Sequence, residues 1–282
     1  MAILSIQSQV ASGYVGNAAA VFALQRMGHD VWPVPTVLFS NHPGLGGWRG
    51  QVLAAPDVAE ILAGLRERGC FERCAAVLTG YLGSAETGSE VVDAWRQVRR
   101  ANPGAVICCD PVMGDRQEGV YVTEELTEFY RHEALGLADV VFPNAFELEA
   151  LTGCPVEDAA AALDASRKLM TGGAKMVLVT SVPDMTAGAA RLTNLLVTAD
   201  GAWTVTTPRR DMVAKGAGDF LAALWLGHYL RQREPAAALA AAASSTYRLI
   251  ELTGGEDELS VVTTQDDWLN PEGLFAPVQI SD

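Results

Sequence analysis

The sequence of 282 residues predicts an α/β fold built around a mostly parallel sheet. Short runs of β-branched and aliphatic residues alternate with longer stretches that carry apolar residues at three- and four-residue spacing, which is typical of βαβ units. Apolar residues make up 49% of the chain and charged residues 19%, so the chain can form a large core. The length allows two small domains or one large one, and neither an internal repeat nor a low-complexity linker divides the chain; we predict a single domain over residues 1–282.

The individual elements follow from this alternation. Runs rich in β-branched residues predict strands, and the turn at residues 199–201 predicts a hairpin between the last two. The predicted strands are residues 3–6, 31–37, 75–79, 106–110, 140–142, 176–180, 192–198 and 202–207. Stretches with a helical apolar period predict the helices between them. The predicted helices are residues 17–27, 58–68, 86–101, 124–131, 156–170, 218–232 and 235–251.

One tract, residues 39–51 (FSNHPGLGGWRGQ), fits neither pattern. It carries four glycines and one proline between a predicted strand and a predicted helix. Such a composition is typical of a surface loop, and long irregular loops in compact domains are often functional. We therefore expect a flap that could close over a ligand.

Charge and cysteine content limit the possible partners. The 34 acidic and 20 basic side chains give a formal net charge of −14, which repels polyphosphate backbones and disfavours nucleic acid as a partner. The five cysteines are odd in number and lie mostly in apolar runs, which predicts reduced thiols and a cytoplasmic protein. We find no signal-peptide pattern and no apolar run of roughly 18 residues, so no membrane association is expected.

The sharpest local signal is the segment Lys215-Gly216-Ala217-Gly218-Asp219, directly before an apolar helical stretch. Glycines allow successive backbone N–H groups to converge on one point, and a helix N-terminus adds positive potential, so this turn is suited to bind phosphate. Asp219 could then accept the proton of a hydroxyl presented to that phosphate, and beside a helix N-terminus its pKa should be low. The alternative is simple capping, with the aspartate as the N-cap of the helix.

Acidic residues follow two predicted strands. Asp110 and Asp115 come after the strand at 106–110, and burying carboxylates there is costly unless a cation or hydrogen-bond donors compensate. Asn144 and Glu147 follow the next strand with a spacing that places them on one face if a helix begins there. Ligands of open α/β sheets bind at the carboxyl ends of the strands, so a metal or a metal-bound phosphate is expected at this edge.

These motifs together resemble the ribokinase-like kinases and, within them, the pyridoxal kinase family. The resemblance covers nearly the whole chain and implies an α/β three-layer sandwich, with helices on both faces of a mostly parallel sheet and no separate lid domain. The segments that carry it are residues 7–8 (QS), 13–17 (GYVGN), 39–42 (FSNH), 80–84 (GYLGS), 109–115 (CDPVMGD), 143–144 (PN), 146–147 (FE) and 216–219 (GAGD).

The resemblance implies an ATP-dependent kinase that phosphorylates the 5′-hydroxyl of pyridoxal. Asp219 would take the proton of that hydroxyl, while the N–H groups of Gly216, Ala217 and Gly218 would bind the γ-phosphoryl oxygens. The residues implied to surround the vitamin are Ser8, Val15, Val37, Phe39, His42, Pro43, Tyr81 and Tyr121.

The resemblance also implies a nucleotide site, cations and an assembly state. Mg²⁺ and a monovalent ion, K⁺ or Na⁺, would accompany ATP, and the adenine would rest above residues 196–213. The chain would form a homodimer. The residues implied to contact ATP are Asp110, Asn144, Glu147, Thr180, Ser181, Gly216 and Gly218, and those implied to face metal are Asp110, Asp115, Glu147 and Thr180.

Five positions depart from the family pattern, and one of them is Thr180, where some bacterial members carry a lysine. Gln9 stands where histidine is usual, and Pro43 stands where a threonine ordinarily touches the substrate. Proline offers neither a hydroxyl nor an N–H donor, so the contacts to the ring should differ. Val120 replaces a cysteine that traps the aldehyde in some members, so covalent capture is not expected. Ala217 keeps its backbone donor but lacks the side chain of the usual threonine or valine.

Three alternatives remain open at this stage. The chain could phosphorylate a hydroxymethylpyrimidine or a sugar, since related kinases share the same turn. It could bind vitamin B6 with weak catalysis, with Pro43 and Ala217 as the altered positions. A dinucleotide site at residues 216–219 is disfavoured, because the full Gly-x-Gly-x-x-Gly spacing after a first strand is missing.

Overall fold

The computed structural model describes residues 1–182, 191–210, 215–254 and 258–280. Most of the strands in these ranges join one large sheet, and a short separate pair lies outside it. The strands are β1 Ala2–Val10, β2 Asp30–Phe39, β3 Gly50–Val52, β4 Cys74–Thr79, β5 Val106–Cys109, β6 Gly114–Asp115, β7 Gly119–Val120, β8 Val140–Val141, β9 Met176–Val182, β10 Arg191–Thr198, β11 Gly201–Pro208 and β12 Val278–Ile280.

The large sheet has ten strands in the order β12-β11-β10-β9-β8-β5-β4-β1-β2-β3. The six strands from β9 to β2 in this order pair in parallel, whereas β10, β11, β12 and β3 extend the two edges in antiparallel pairing. Parallel strands need crossover connections, and helices supply them here. The mostly parallel α/β sheet predicted from the sequence is confirmed.

The helices form a layer on each face of the sheet. Adjacent residues of a strand point to opposite faces, and in β1 Ile3 and Leu4 accordingly belong to two different buried clusters. Helices α2 to α6 contribute to the cluster of Leu4, and α1 and α7 to α9 contribute to that of Ile3. The helices are α1 Asn17–Arg26, α2 Ala55–Glu67, α3 Ala85–Ala101, α4 Glu124–Phe129, α5 Ala145–Thr152, α6 Ala159–Thr171, α7 Ala217–Gln232, α8 Pro235–Thr253 and α9 Gln265–Leu269.

Several predicted boundaries differ from the observed ones, among them the start of α6 and the end of β5. The helix predicted from residue 156 begins instead at Ala159, because the side chain of Asp158 accepts the N–H of Ala161 and caps it. The strand predicted to reach Asp110 ends at Cys109. Asp110 therefore lies in the turn after the strand.

The tract at residues 39–51 is more ordered than the sequence predicts. Its end forms β3, which pairs with the end of β2 to make an edge hairpin, and Pro43–Leu45 form a 3₁₀ turn. Gly50 makes the pairing possible, because a Cβ there would overlap the carbonyl of Leu38. Sequence patterns missed β3 because three residues are too few to show alternation.

The state of the cysteines and the length of the helices can be compared with two of the sequence predictions, reduced thiols and the absence of a membrane span. All five cysteines are free thiols, and four of them are buried. No helix among the described ranges is both long enough and apolar enough to cross a membrane.

Candidate active site

A cavity of about 330 Å³ opens at the carboxyl ends of the parallel strands and at the start of α7. This is the edge at which open α/β sheets bind ligands. Segments from distant parts of the chain meet there, as predicted. The predicted site residues that line it are Ser8, Val15, Phe39, His42, Pro43, Tyr81, Asp110, Asp115, Tyr121, Asn144, Glu147, Thr180, Gly216, Gly218 and Asp219.

Three predicted site residues do not line the cavity, and for Val37 this corrects the expectation of an apolar wall. Val37 is fully buried two residues before the end of β2 and packs beside Val52. Ser181 is exposed and has a φ of +57°, at a point where the pairing of β9 with β10 shifts register, whereas its neighbour Thr180 lines the cavity. Ala217 adds no surface to the cavity, so its backbone donor stays a prediction.

Sequence reasoning missed several lining residues. Lys215 directly precedes the glycine turn and could have been identified from that position. Leu221 and Ala222 lie within one helical turn of Asp219 and could have been found from helical spacing. The other missed residues have no recognisable sequence signal, because turns in the folded chain bring them to the cavity. The full set missed is Val10, Gly44, Val112, Gly114, Glu118, Phe142, Lys215, Leu221 and Ala222.

The turn at residues 215–219 leads directly into α7, which begins at Ala217. Gly216 has a φ of +90°, and a Cβ at this position would overlap the carbonyl oxygen of Tyr14. Only glycine fits both conditions. The N-cap of α7 is Gly216, with no side-chain capping bond, so Asp219 is not the helix cap. The capping alternative is therefore wrong.

Asp219 is half-buried in the first turn of α7. Burial raises the pKa of Asp219 to about 6, and the N–H of Gly16, which donates to Oδ2 at 2.9 Å, opposes that shift. The expectation of a low pKa was wrong, because loss of hydration outweighs the helix N-terminus at this site. A carboxylate that titrates near 6 is suited to accept a proton at neutral pH.

Ser8 is placed by an irregularity in β1. The pairing with β2 shifts register between Gln7 and Gln9, so Ser8 is left outside the regular ladder and faces the cavity. Below it, Asn17 donates to the carbonyl of Gln7 at 3.2 Å and accepts from Ser5 at 2.7 Å. This buried network holds the end of β1 against α1.

Asp110 and Glu147 form a buried acidic pair. Burial, followed by the charges of Glu147 and Asp219, raises the pKa of Asp110 well above its usual range. Burial also raises the pKa of Glu147 to about 8, although the N–H groups of Asn144, Met113 and Gly114 lower it. A cation would relieve this accumulation of negative charge.

Glu147 owes its position to the start of α5. Asn144 is the N-cap, and its side chain accepts the N–H of Glu147 at 2.9 Å while the carboxylate of Glu147 accepts the N–H of Asn144 at 2.9 Å. This capping box confirms that a helix begins here and places both side chains on the cavity side.

Asp115 belongs to a short hairpin formed by β6 and β7, residues 114–120. Its Oδ1 accepts the N–H groups of Gln117 and Glu118 at 2.8 Å each, and its Oδ2 lies 3.2 Å from Nζ of Lys215. Burial raises the pKa of Asp115, but these N–H groups and Lys215 outweigh it and keep the pKa low. Lys215 lies beside this carboxylate, and the expectation that Asp115 faces a metal stays a prediction.

Two tyrosines and a histidine, Tyr81, Tyr121 and His42, also line the cavity. Burial raises the pKa of Tyr81, so its hydroxyl stays protonated. Burial, and then Lys215, lower the pKa of His42, whose Nδ1 accepts the N–H of Gly44 at 3.0 Å. Pro43 occupies the first position of the 3₁₀ turn, where its missing N–H costs no hydrogen bond.

Part of the predicted nucleotide site lies outside the described residues. The adenine was expected above residues 196–213, and residues 211–213 fall in a range that the structure does not describe. Leu196 itself is fully buried in β10. Among the described residues, no three His, Cys, Asp or Glu side chains are grouped closely enough to hold a metal ion by themselves.

Comparison with known proteins agrees with this geometry. Residues 69–261 match the family model for phosphomethylpyrimidine kinase. The chain is 44% identical over 283 residues to the pyridoxal kinase PdxY of Corynebacterium diphtheriae, covering 100% of both sequences. It is 49% identical to the pyridoxal kinase PdxY of Rubrobacter xylanophilus, covering 97% of this chain and 95% of that one.

Solved structures show the same relationship. The pyridoxal kinase of Leishmania donovani in complex with ADP and pyridoxamine superimposes with a TM-score of 0.93 at 31% identity, covering 99% of each chain. The same enzyme with ADP and pyridoxine gives 0.93 at 32% identity. From its sequence, its fold and the residues around its cavity, the chain belongs to the pyridoxal kinase family of the ribokinase-like kinases.

Proposed function

We propose that this chain is a pyridoxal kinase that transfers the γ-phosphoryl group of ATP to the 5′-hydroxyl of pyridoxal. The observation that carries the proposal is the meeting of the 215–219 turn, the acidic strand ends and the ring-facing residues Ser8 and Tyr81 in one cavity. The complexes of the Leishmania donovani enzyme with ADP and vitamin B6 compounds support both substrates. The relatives at 44% and 49% identity support pyridoxal as the acceptor.

Asp219 is the base in this proposal. With a pKa of about 6 it is mostly ionised at pH 7 and can take the proton of the 5′-hydroxyl as the bond to phosphorus forms. Phosphoryl transfer has a loose transition state, so positioning and charge neutralisation contribute more than a strong base does. The Gly16 N–H holds the carboxylate in place at 2.9 Å.

The N–H groups of Gly216, Ala217 and Gly218 bind the transferring phosphoryl group in this proposal. Gly216 and Gly218 line the cavity, and the positive end of the 16-residue helix α7 points to it. Negative charge on the phosphoryl oxygens is stabilised most where water is excluded and the donors are already in place.

The vitamin ring occupies the part of the cavity that Ser8 and Tyr81 line in this proposal. Ser8 supplies a hydroxyl to the ring, and Tyr81 and Tyr121 flank it, with Val15 and Phe39 as apolar walls. His42 and Pro43 enter from the edge hairpin and close that side of the cavity.

Magnesium is expected with the nucleotide, and the residues present fit it. Asp110 and Glu147 are buried carboxylates of the same cavity, and burial raises the pKa of both, so a cation beside them would favour their ionised forms. Together with Thr180 they would hold the ion, with phosphate oxygens and water completing its shell, which is the usual arrangement for Mg²⁺. When bound, the ion neutralises phosphate charge. A monovalent ion, K⁺ or Na⁺, would lie near Thr180.

The proposal extends to the setting in which the enzyme works. Five free thiols support a cytoplasmic protein. A homodimer is supported by exposed apolar side chains on the edge hairpin, among them Leu45, Trp48 and Val52. Sedimentation velocity measures this directly, and a monomer at micromolar concentration would contradict the dimer.

The decisive experiment measures ADP release with MgATP and each candidate acceptor side by side. Pyridoxal, pyridoxine, pyridoxamine and hydroxymethylpyrimidine are compared, because the matching family model bears the name of a pyrimidine kinase. We expect the B6 vitamers to react and Asp219→Ala to lower kcat more than about tenfold, equivalent to about 1.4 kcal/mol of barrier. Asp164→Ala, on the exposed side of α6, is the matched control. Turnover of the pyrimidine alone would refute the assignment.

A further inference from the structure

We propose that Lys215 is a catalytic residue that leaves Asp115 and Glu118 when ATP binds and contacts the γ-phosphoryl group during transfer. The inference rests on the proposed kinase function and adds a group to it. Lys215 lines the cavity and is joined directly to Gly216, the first residue of the phosphate-binding turn.

Charge is the first argument. Five carboxylates line the cavity, and Lys215 is the one lysine or arginine among the described lining residues. ATP brings further negative charge, and the transition state spreads it over the phosphoryl oxygens. Backbone N–H groups carry only partial charges. A full positive charge next to the 215–219 turn would therefore stabilise this state in a way that the backbone donors cannot.

The present partners of Lys215 make it available for this role. Its Nζ lies 2.6 Å from a carboxylate oxygen of Glu118 and 3.2 Å from one of Asp115. The side chain of Lys215 is 17% exposed, but those of Asp115 and Glu118 are 35% and 39% exposed. Ion pairs to carboxylates that water still reaches contribute little to stability, so a phosphate can replace them at small cost.

The geometry of the side chain allows the exchange. A lysine carries three N–H donors on a flexible four-carbon stem, and it can turn between neighbouring acceptors without movement of the backbone. Since Lys215 precedes Gly216, its backbone already lies beside the proposed phosphate site. The ion pairs with the β6–β7 hairpin keep the ammonium inside the cavity until the nucleotide arrives.

A purely structural role is the competing explanation. In that case Lys215 would only fasten the β6–β7 hairpin to the 215–219 turn, and removing either end of the ion pair would have the same consequence. The two roles predict opposite effects for Glu118→Gln. If Lys215 binds phosphate, Glu118→Gln removes the nearer of its two ion-pair partners and leaves the lysine free to bind the nucleotide more tightly. If Lys215 is only structural, the same change weakens nucleotide binding.

The test compares binding of ADP and of a non-hydrolysable ATP analogue by calorimetry, with Mg²⁺ present. We expect Lys215→Met to weaken the analogue by about tenfold or more while ADP changes less than about threefold, because only the analogue carries the γ-phosphate. Lys215→Arg should retain most of the difference between the two nucleotides. Glu118→Gln should tighten the analogue by about two- to threefold.

Three results would overturn the inference: equal losses for ADP and the analogue in Lys215→Met, a weaker analogue in Glu118→Gln, or an unchanged kcat for pyridoxal in Lys215→Met. Thermal unfolding checks that each variant folds, and Lys215→Gln replaces the methionine variant if that one does not. Binding is measured without any acceptor. Failure of pyridoxal turnover in the unmodified protein would therefore count against the kinase assignment and not against the role of Lys215 at the nucleotide.

Discussion

The raised pKa of Asp219 should make the reaction pH-dependent in a range where an ordinary aspartate would not. The proposed base must be ionised to accept a proton, and burial raises its pKa to about 6. Activity should therefore be present above this pKa and lost as the pH falls through it. We expect kcat/KM for pyridoxal to decline steadily from pH 7 to pH 5.

The size of the decline follows from the ionised fraction. With a pKa of about 6, the carboxylate is about 90% ionised at pH 7 and about 10% ionised at pH 5, which gives a roughly tenfold loss. An aspartate with the usual pKa of about 3.9 would remain more than about 90% ionised at pH 5 and would cause almost no loss. The two cases are easy to distinguish.

The assay measures ADP release at saturating MgATP over this pH range. Doubling the MgATP concentration at each pH verifies saturation, and pyridoxine serves as a second acceptor, because its ring ionises differently from that of pyridoxal. A fall of the same size with both acceptors belongs to the enzyme. Thermal unfolding at pH 5 confirms that the protein remains folded.

Asp219→Asn provides the matched control. Its residual activity should be low and almost independent of pH between 5 and 7, since the titrating base is gone. A tenfold fall that persists in this variant would assign the pH dependence to another group, such as Glu147. A flat profile in the unmodified protein would show that Asp219 does not titrate between pH 5 and pH 7, and it would refute the raised pKa of the proposed base.

Three further predictions concern the surroundings of the base. Gly216→Ala should lower the free energy of unfolding by at least about 2 kcal/mol, because the new Cβ would overlap the Tyr14 carbonyl at a residue with positive φ. Gly218→Ala is the control, since the space around its Cβ is open, and it should change the free energy of unfolding by less than about 1 kcal/mol. Chemical denaturation measures both variants. Pro43→Thr should lower KM for pyridoxal with little change in melting temperature, since it adds a hydroxyl at a position that lines the cavity. The pKa of Glu147 is about 8 in the folded chain, which is above its value in the unfolded chain. The contribution of this group to stability without ligands should therefore be greatest below about pH 4.5 and should decline as the pH rises to 8. Glu147→Gln should flatten that decline in denaturation experiments.

The sequence predicted the sheet and the main helices well because these elements are long and periodic. The helix predicted at residues 218–232 matches α7 to within one residue, whereas only residues 3–6 of the nine-residue β1 were predicted. The chain motifs also indicated which strand ends would carry the site. Polar residues directly after buried strands are costly to bury unless they bind something, and Asp110 and Asn144 line the cavity as expected.

What the sequence could not give depends on contacts between distant residues. The hairpin of β6 and β7 consists of two-residue strands, which are too short for any periodic signal. The pairing of Lys215 with Asp115 and Glu118 spans about one hundred positions and follows only from where that hairpin lies. The expected low pKa of Asp219 failed for the same reason, because burial is a property of the folded chain.

Gly16 shows how closely the two halves of the site depend on each other. Its N–H donates to Asp219 across 203 positions of sequence, and a Cβ at Gly16 would overlap both the backbone and the hydroxyl of Ser8. The start of α1 thus touches the proposed base on one side and the proposed ring contact on the other. Asn17 joins this same point to the end of β1 through buried hydrogen bonds, so we expect this network, more than the loops that enclose the cavity, to set the distance between Asp219 and Ser8. Precise placement of the hydroxyl is what a loose phosphoryl-transfer transition state requires most, and the rigid parts of the fold provide it.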